Sequence, residues 1–171
     1  MVHQKNLLWK KTLLGIVAAL SMISASAQSL TINNTTGCTV TINEMVIIAP
    51  STGLFFSDCN SPLKSNSFTV GSTPLTFTDY LDFQSRVGWN GGYTLSSGIT
   101  DFQWMNVSFS FSGCPCGTPP SEQLADVSTC MTISHTPVGV WSWSSGMCMY
   151  GAGWSPAAGL PMSNVTISFH P

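Results

Sequence analysis

The chain has 171 residues and a formal net charge of −2, and only 7% of its residues are charged. A nucleic-acid partner needs several Lys or Arg residues to neutralise phosphates, and an anionic membrane surface needs a similar cluster. Five such cations in the whole chain argue against both kinds of partner. Solubility must instead rest on Ser, Thr, Asn and Gly, and little charge opposes self-association.

The N-terminal residues have the pattern of a secretory signal peptide. Three lysines precede an apolar run from Leu13 to Ile23, and the small residues Ala25, Ser26 and Ala27 fit a cleavage site. The run is shorter than the ~20 apolar residues that a membrane-spanning helix needs. We therefore expect cleavage after Ala27 and a secreted protein, extracellular or periplasmic, whose mature chain has no membrane span.

The remaining part of the chain, residues 28–171, is predicted to form one domain. No flexible linker, long charge run or fixed-period repeat divides it. It keeps only Lys64 and Arg86 as fixed cations, against all seven acidic residues of the chain.

Alternation of apolar and polar residues with a period of two predicts strands along most of this domain. Leu30–Ile32 is followed by an Asn- and Gly-rich turn and then by a longer alternating segment, Thr39–Ile48. Together they predict an N-terminal hairpin. In the longer segment, one predicted face carries Val40, Ile42, Glu44, Val46 and Ile48.

Seven further strands are predicted along the rest of the chain. They are Ser67–Val70, Leu75–Asp79, Asp101–Phe111, Met131–His135, Val138–Trp143, Met147–Tyr150 and Val165–Phe169. Within the third of them, alternation predicts one shared face for Met105, Val107, Phe109 and Phe111.

Only one short helix is predicted, at Ser121–Val127, where Ser121 serves as the N-cap and Glu122 lies near the helix N-terminus. Long helical stripes are absent from the sequence, and Thr, Val, Ile and aromatic residues favour strands. The predicted fold class is therefore all-β, a disulfide-stabilised β-sandwich of about seven to nine mostly antiparallel strands.

All six cysteines follow the predicted signal peptide, and an even count outside the cytosol favours disulfides over free thiols. They are Cys38, Cys59, Cys114, Cys116, Cys130 and Cys148. The first choice of pairing is Cys38 with Cys59, because both lie in the N-terminal third. The other four cysteines would then pair among themselves.

A metal site is considered and not predicted. Cys114 and Cys116 are separated by one residue, whereas structural zinc sites usually have about two to four residues between paired cysteines. Met147 and Met149, with His135, would suit Cu(I), but methionine on a strand face more often fills a core. We therefore expect no metal and no cofactor.

Catalysis is not predicted either, and no catalytic residue is assigned. The histidines after the signal peptide are His135, the better placed base, and His170, which we expect to be mobile near the chain end. The Gly-x-Ser-x-Gly pattern of a nucleophile elbow is missing. Asp79 and Asp82, taken as strand residues, would point to opposite faces and not form paired carboxylates.

Aromatic residues provide the remaining candidates for binding. Trp141 and Trp143 alternate with serines, and Trp89 and Tyr93 flank an Asn-Gly-Gly turn that would place their rings at a loop tip. Two interpretations stay open. The rings fill the core, or they are exposed and stack on sugar rings or anchor another subunit.

The segment Ser29–Asn34 after the signal peptide, and the strand that starts at Gly37 and Cys38, resemble small uncharacterised exported β-domain proteins of environmental bacteria. This resemblance implies no activity and carries no catalytic residues.

The leading hypothesis is a secreted structural or interaction module that self-associates at or beyond the cell surface. Strand edges with little Lys to protect them can pair with another chain, and Gln28–Ile32 is the candidate for an exchanged strand. The alternative is a carbohydrate-binding module that uses the four candidate aromatics. An enzyme is the least favoured, so the expected partners are the protein itself or a glycan.

Overall fold

The computed structural model describes residues 29–49, 61–99, 102–125, 140–155 and 164–171. Strands in these ranges form two five-stranded sheets, and Tyr80–Arg86 forms a short helix, α1. The strands are β1 (Leu30–Asn34), β2 (Thr39–Ile48), β3 (Leu63–Lys64), β4 (Phe68–Val70), β5 (Leu75–Phe77), β6 (Gln103–Ser112), β7 (Glu122–Ala125), β8 (Val140–Ser145), β9 (Cys148–Ser155) and β10 (Val165–His170). The disulfide-bonded all-β class is confirmed, with ten strands in the described ranges where seven to nine are predicted.

The two sheets have simple orders. The first sheet is β5-β1-β10-β9-β8, and the second is β3-β2-β6-β7 with β4 also paired to β2. β1 runs parallel to β10, and the other described strand pairs are antiparallel. β1 therefore lies between two strands of its own chain, and its residues Leu30 and Ile32 are fully buried.

A buried asparagine turns the chain from the first sheet to the second. The Asn34 side-chain amide donates to the carbonyls of Cys38 at 2.9 Å and Val70 at 3.1 Å. Its Oδ1 accepts from the backbone N–H of Thr36 at 3.1 Å and from the Thr36 hydroxyl at 2.7 Å. The predicted N-terminal hairpin is wrong, because these bonds make a corner between sheets and β1 does not pair with β2.

A β-bulge changes the inward face of β2. Asn43 has no ladder partner in β6, so it is the extra residue of the bulge. The main hydrophobic core contains Val40 and Ile42 before the bulge, and Met45 and Ile47 after it. The single alternating face predicted for this strand is therefore wrong, because an extra residue reverses the alternation.

A second shift in the same ladder separates Met105 from the main core. Met105 has no partner in β2, and it packs with Val46 and Ile48 in a cluster of its own. Val107 and Phe109 remain in the main core. The face predicted to be common to Met105, Val107, Phe109 and Phe111 is therefore wrong for Met105, for the same physical reason.

Aromatic rings fill both ends of the main core. At one end, the Phe83 ring of α1 lies 5.0 Å from the rings of Trp89 and Trp104, measured between centroids. At the other end, the Phe109 ring lies 5.6 Å from Trp141 and 4.9 Å from Phe169. Edge-to-face and offset contacts of this kind add to the burial of large apolar areas.

Helix α1 begins where the sequence predicts the end of a strand. Asp79 is its N-cap, and the Asp79 carboxylate accepts hydrogen bonds from the N–H groups of Leu81 at 2.9 Å and Asp82 at 2.8 Å. Tyr80 and Phe83, three residues apart, form its buried face. The predicted strand Leu75–Asp79 therefore ends early, at β5.

The helix predicted at Ser121–Val127 is wrong, because residues Glu122–Ala125 form β7. This segment pairs with β6 and buries Leu124 completely. Tertiary pairing overrides the capping pattern that the sequence shows locally.

Two disulfides join described residues, Cys38 to Cys114 and Cys116 to Cys148. The predicted pairing of Cys38 with Cys59 is therefore wrong. Cys114, Cys116 and Cys148, considered as zinc ligands, are all bonded to sulfur instead.

Strand pairing explains the observed partners. Thr39 of β2 lies opposite Ser112 of β6, so the cysteine just before β2 meets the cysteine just after β6. Distance along the chain is a poor guide here, because antiparallel pairing brings together residues that are far apart in sequence. Cys59 and Cys130 lie outside the described residues, as do the predicted signal peptide and the predicted strand Met131–His135.

Candidate interaction surface

The four aromatic candidates do not form one exposed platform. Trp89 and Trp141 belong to the core, with 2% and 6% of their surfaces exposed. Trp143 is half-buried and stacks on Tyr150 with 5.9 Å between ring centroids. Tyr93 is exposed, at 53%. Of the two interpretations left open, burial in the core describes Trp89 and Trp141, and exposure describes Tyr93.

Helix α1 holds the loop that presents the exposed tyrosine. Gln84 Oε1 accepts from the indole N–H of Trp89 at 2.9 Å and from the backbone N–H of Leu95 at 2.6 Å. The Tyr80 hydroxyl donates to the carbonyl of Ser96 at 2.9 Å. These bonds anchor residues 88–99 to the helix on both sides of the loop tip.

The ion pair of α1 also bonds to the edge of the first sheet. Arg86 Nη1 donates to the carbonyl of Thr76 at 2.8 Å, and Asp82 Oδ2 accepts from the N–H of Thr78 at 3.0 Å. The two side chains are 3.2 Å apart, and the guanidinium lies 4.5 Å from the ring centre of Phe77. A carbonyl and the N–H two residues later point to the same side of a strand, so the pair takes the places that another strand would use.

The two aspartates considered as paired carboxylates are therefore structural. Asp79 caps the helix and Asp82 bonds to the strand edge and to Arg86. The prediction that they point to opposite faces of a strand is wrong, because they belong to a helix start.

The edge of the second sheet beside β5 carries the other fixed cation. Lys64 lies on β3, and its Nζ is 3.1 Å from Glu44 Oε1. Phe68 of β4 contacts Phe77 of β5 with 6.0 Å between ring centroids, so the β3–β4 edge and the β5 edge are on one side of the sandwich. Charge, short strands and a covering helix are the usual protection of such edges.

The opposite side of the sandwich ends at β7 and β8, and β7 contacts β9. In the described ranges no segment pairs with the outer side of β8, which we call the β8 edge. The sequence from residue 127 to residue 171 contains no Asp, Glu, Lys or Arg. Val140 at the start of β8 is 68% exposed, and Met147 in the β8–β9 turn and Met149 of β9 are also exposed.

The turn of the β8–β9 hairpin determines which backbone groups this edge offers. The two-residue loop has Gly146 at its first position with φ of 63°, as a type II′ turn requires. Such a loop closes on a hydrogen-bonded pair, so alternate residues bond to β9. The N–H and C=O groups of Val140, Ser142 and Ser144 therefore point outward.

Sequence reasoning did not identify the β8 edge. The signal that points to it is the long charge-free run after Asp126, which is visible in the sequence. That Val140–Ser145 is the last strand of its sheet is visible only in the strand order.

Other candidate groups do not assemble into a site in the part of the chain that the structure describes. His170 lies in β10 and not in a mobile end, and its imidazole lies where a side chain at Gly151 would project. Within the described ranges no three His, Cys, Asp or Glu side chains are grouped for a metal ion. His135 lies outside those ranges.

Among the described helical residues, nothing is long and apolar enough to cross a membrane as a helix. The two disulfides are compatible with an oxidising location, extracellular or periplasmic. No protein-family model, curated protein or solved structure matches the chain.

Proposed function

We propose that the protein is a secreted structural module that self-associates through the β8 edge. The observation that carries this proposal is the unequal protection of the two sides of the sandwich. Arg86, Lys64 and helix α1 all lie on the β3–β5 side. The β8 edge has no charged residue and has an exposed Val140.

Strand pairing at such an edge is physically favourable. A sheet edge leaves backbone donors and acceptors that another strand can bond, and neighbouring apolar side chains add contact area. Charged side chains on an edge oppose this pairing, and β8 has none. The low charge of the whole chain reduces repulsion between copies further.

Export is supported by two independent features. The first 27 residues have the pattern of a signal peptide, and the chain carries disulfides that an oxidising compartment would preserve. A protein that acts outside the reducing cytosol is consistent with both the signal-peptide pattern and the disulfides.

The test compares two Lys substitutions of exposed apolar residues. Val140→Lys places a charge on the β8 edge, and Leu81→Lys places one on α1, where 36% of the leucine is exposed. We expect Val140→Lys to raise the self-association Kd about tenfold or more, because a lysine on an edge strand loses part of its hydration when another strand lies beside it. Leu81→Lys should leave the Kd unchanged. Light scattering over a concentration series of the oxidised protein measures both.

Two results would contradict the proposal. One is a wild-type protein that stays monomeric at every concentration. The other is an equal effect of both lysines, which would mean that total charge and not the β8 edge controls association. Melting temperatures of the two variants serve as the check on folding.

A second candidate function, carbohydrate binding, rests on Tyr93. This ring is exposed, and it packs beside Gly91, where an added Cβ would lie 3.0 Å from the ring. Amide and hydroxyl groups of Asn90 and Thr94 are exposed on the same loop. An exposed aromatic ring that packs against its own loop, with neutral hydrogen-bonding groups nearby, suits stacking on a sugar ring.

The variant Tyr93→Ala tests this candidate on a panel of neutral glycans. Affinity should fall about tenfold for any bound glycan, because one stacking contact is lost. The melting temperature should stay near its original value, since the ring is outside the core. Ser97→Ala, at another exposed position of the same loop, is the control. A panel without any binding by the wild-type protein removes the candidate.

A further inference from the structure

We infer that the partner at the β8 edge is β8 of a second copy, in an antiparallel pair with Ser142 opposite Ser142 of that copy. The inference rests on the proposed self-association and adds its geometry. It makes the assembly a closed twofold dimer and not an open polymer.

We expect a closed dimer and not an open polymer because the other sheet edges are protected. An open polymer needs β8 of one copy to pair with a different edge of the next copy. At the β5 edge, Arg86 and Asp82 already bond to the outward backbone groups. The β3 edge is two residues long and carries Lys64, and β7 carries Glu122. Among the sheet edges in the described ranges, β8 is the edge without a charge or a covering ion pair, so β8 has its own copy as its best partner.

The register follows from the alternation of side chains along β8. Its sequence from Val140 to Ser145 is Val-Trp-Ser-Trp-Ser-Ser, in which Trp141 and Trp143 flank Ser142 symmetrically. With Ser142 on the twofold axis, Trp141 of one copy lies opposite Trp143 of the other, and aromatic cross-strand pairs stabilise antiparallel strands. The outward backbone groups of three residues per copy would then make about six hydrogen bonds.

The same register brings the exposed apolar side chains together. Val140 of the second copy lies opposite Ser144, and Ser144 lies opposite Met149 within the hairpin. Val140 and Met149, which are both exposed in the single chain, would therefore lie on either side of the small serine. Their contact removes apolar surface from water on the outer face of the joined sheet.

Charge favours a second copy over a charged partner. Residues 127–171 contain no fixed charge, so a twofold contact at β8 brings no like charges together. A charged partner strand would lose hydration at this edge and find no opposite charge there. A neutral, self-complementary strand is the occupant that the edge fits.

The test uses opposite charges at the position on the axis. In Ser142→Lys or Ser142→Glu alone, like charges meet across the axis, and we expect the dimer Kd to rise about tenfold or more. An equimolar mixture of the two variants should restore dimers, and native mass spectrometry should show mixed dimers in excess over either homodimer. Ser72→Lys and Ser72→Glu, at an exposed turn position, are the controls and should behave as wild type.

Each outcome has a defined meaning. Rescue by mixing confirms an isologous contact at Ser142. Wild-type filaments, or dimers that both charges leave intact, overturn the twofold β8 pair while self-association stands. A wild-type monomer overturns the proposed function as well. If either Ser142 variant melts far below wild type, the double variants Val140→Lys/Ser144→Lys and Val140→Glu/Ser144→Glu repeat the test at the neighbouring pair, because like charges then meet in each homodimer and opposite charges meet in the mixture.

Discussion

Amide side chains, one buried and one half-buried, hold the irregular parts of this sandwich. Asn34 makes four hydrogen bonds at the corner between β1 and β2, and its surface is 2% exposed. Gln84 bonds to both Trp89 and Leu95. A primary amide offers donors and acceptors together, so one residue can satisfy several backbone groups that lack a ladder partner.

We expect Gln84→Met to destabilise the protein by about 2–4 kcal/mol. Methionine has a similar size but leaves the N–H groups of Trp89 and Leu95 without their acceptor, and an unsatisfied buried donor costs about 1–3 kcal/mol. Urea unfolding followed by tryptophan fluorescence measures the free energy of unfolding.

Gln84→Glu is the matched control for that measurement. It keeps the acceptor oxygens and loses the side-chain amide that donates to the Leu95 carbonyl at 3.3 Å. Its loss of stability should be smaller than that of Gln84→Met. Equal losses would mean that the side chain acts through packing and not through its acceptor.

At the scale of elements, helix α1 covers one side of the sandwich although it is only seven residues long. Its Phe83 ring packs against Phe68 of the second sheet and Phe77 of the first, with 5.7 and 4.8 Å between ring centroids. Its ion pair bonds to the backbone of β5. The helix thus closes one side of the sandwich both by burying rings and by satisfying a sheet edge.

We expect Arg86→Met to lower the free energy of unfolding by about 1 kcal/mol. The loss has two parts, a half-exposed ion pair that salt screens and a hydrogen bond to the Thr76 carbonyl that salt affects little. Chemical unfolding at low and high NaCl separates them, and part of the loss should persist at high salt.

Lys64→Met is the comparison for Arg86→Met. Lys64 forms an ion pair of similar exposure with Glu44, at 3.1 Å, so its smaller loss should disappear at high salt. If both variants respond equally to salt, the bond from Arg86 to the strand edge contributes nothing measurable.

For the whole molecule, the distribution of charge matters more than its total. Both fixed cations after the predicted signal peptide lie at the edges of one side, while the C-terminal run without fixed charge supplies β8, β9 and β10. Natural sheets protect edges that must not pair. The association experiments on Val140 and Ser142 test this distribution of charge, because they measure which side of the sandwich pairs with another chain.

Local patterns in the sequence determine the class of this protein. Period-two alternation predicts strands because successive side chains of a strand point to opposite faces, and most of the predicted strands in the described ranges are present. Cysteine parity predicts disulfides because pairing is a property of composition and compartment. The first inference needs only neighbouring residues, and the second needs only the number of cysteines.

Tertiary structure alone decides the features that concern function. The bulge at Asn43 shifts the faces of β2, Cys38 bonds to Cys114 and not to Cys59, and Trp89 is core. The exposed edge is β8 because of the strand order. Each of these depends on which distant segments lie side by side, and alternation records the face of a residue but not its neighbour.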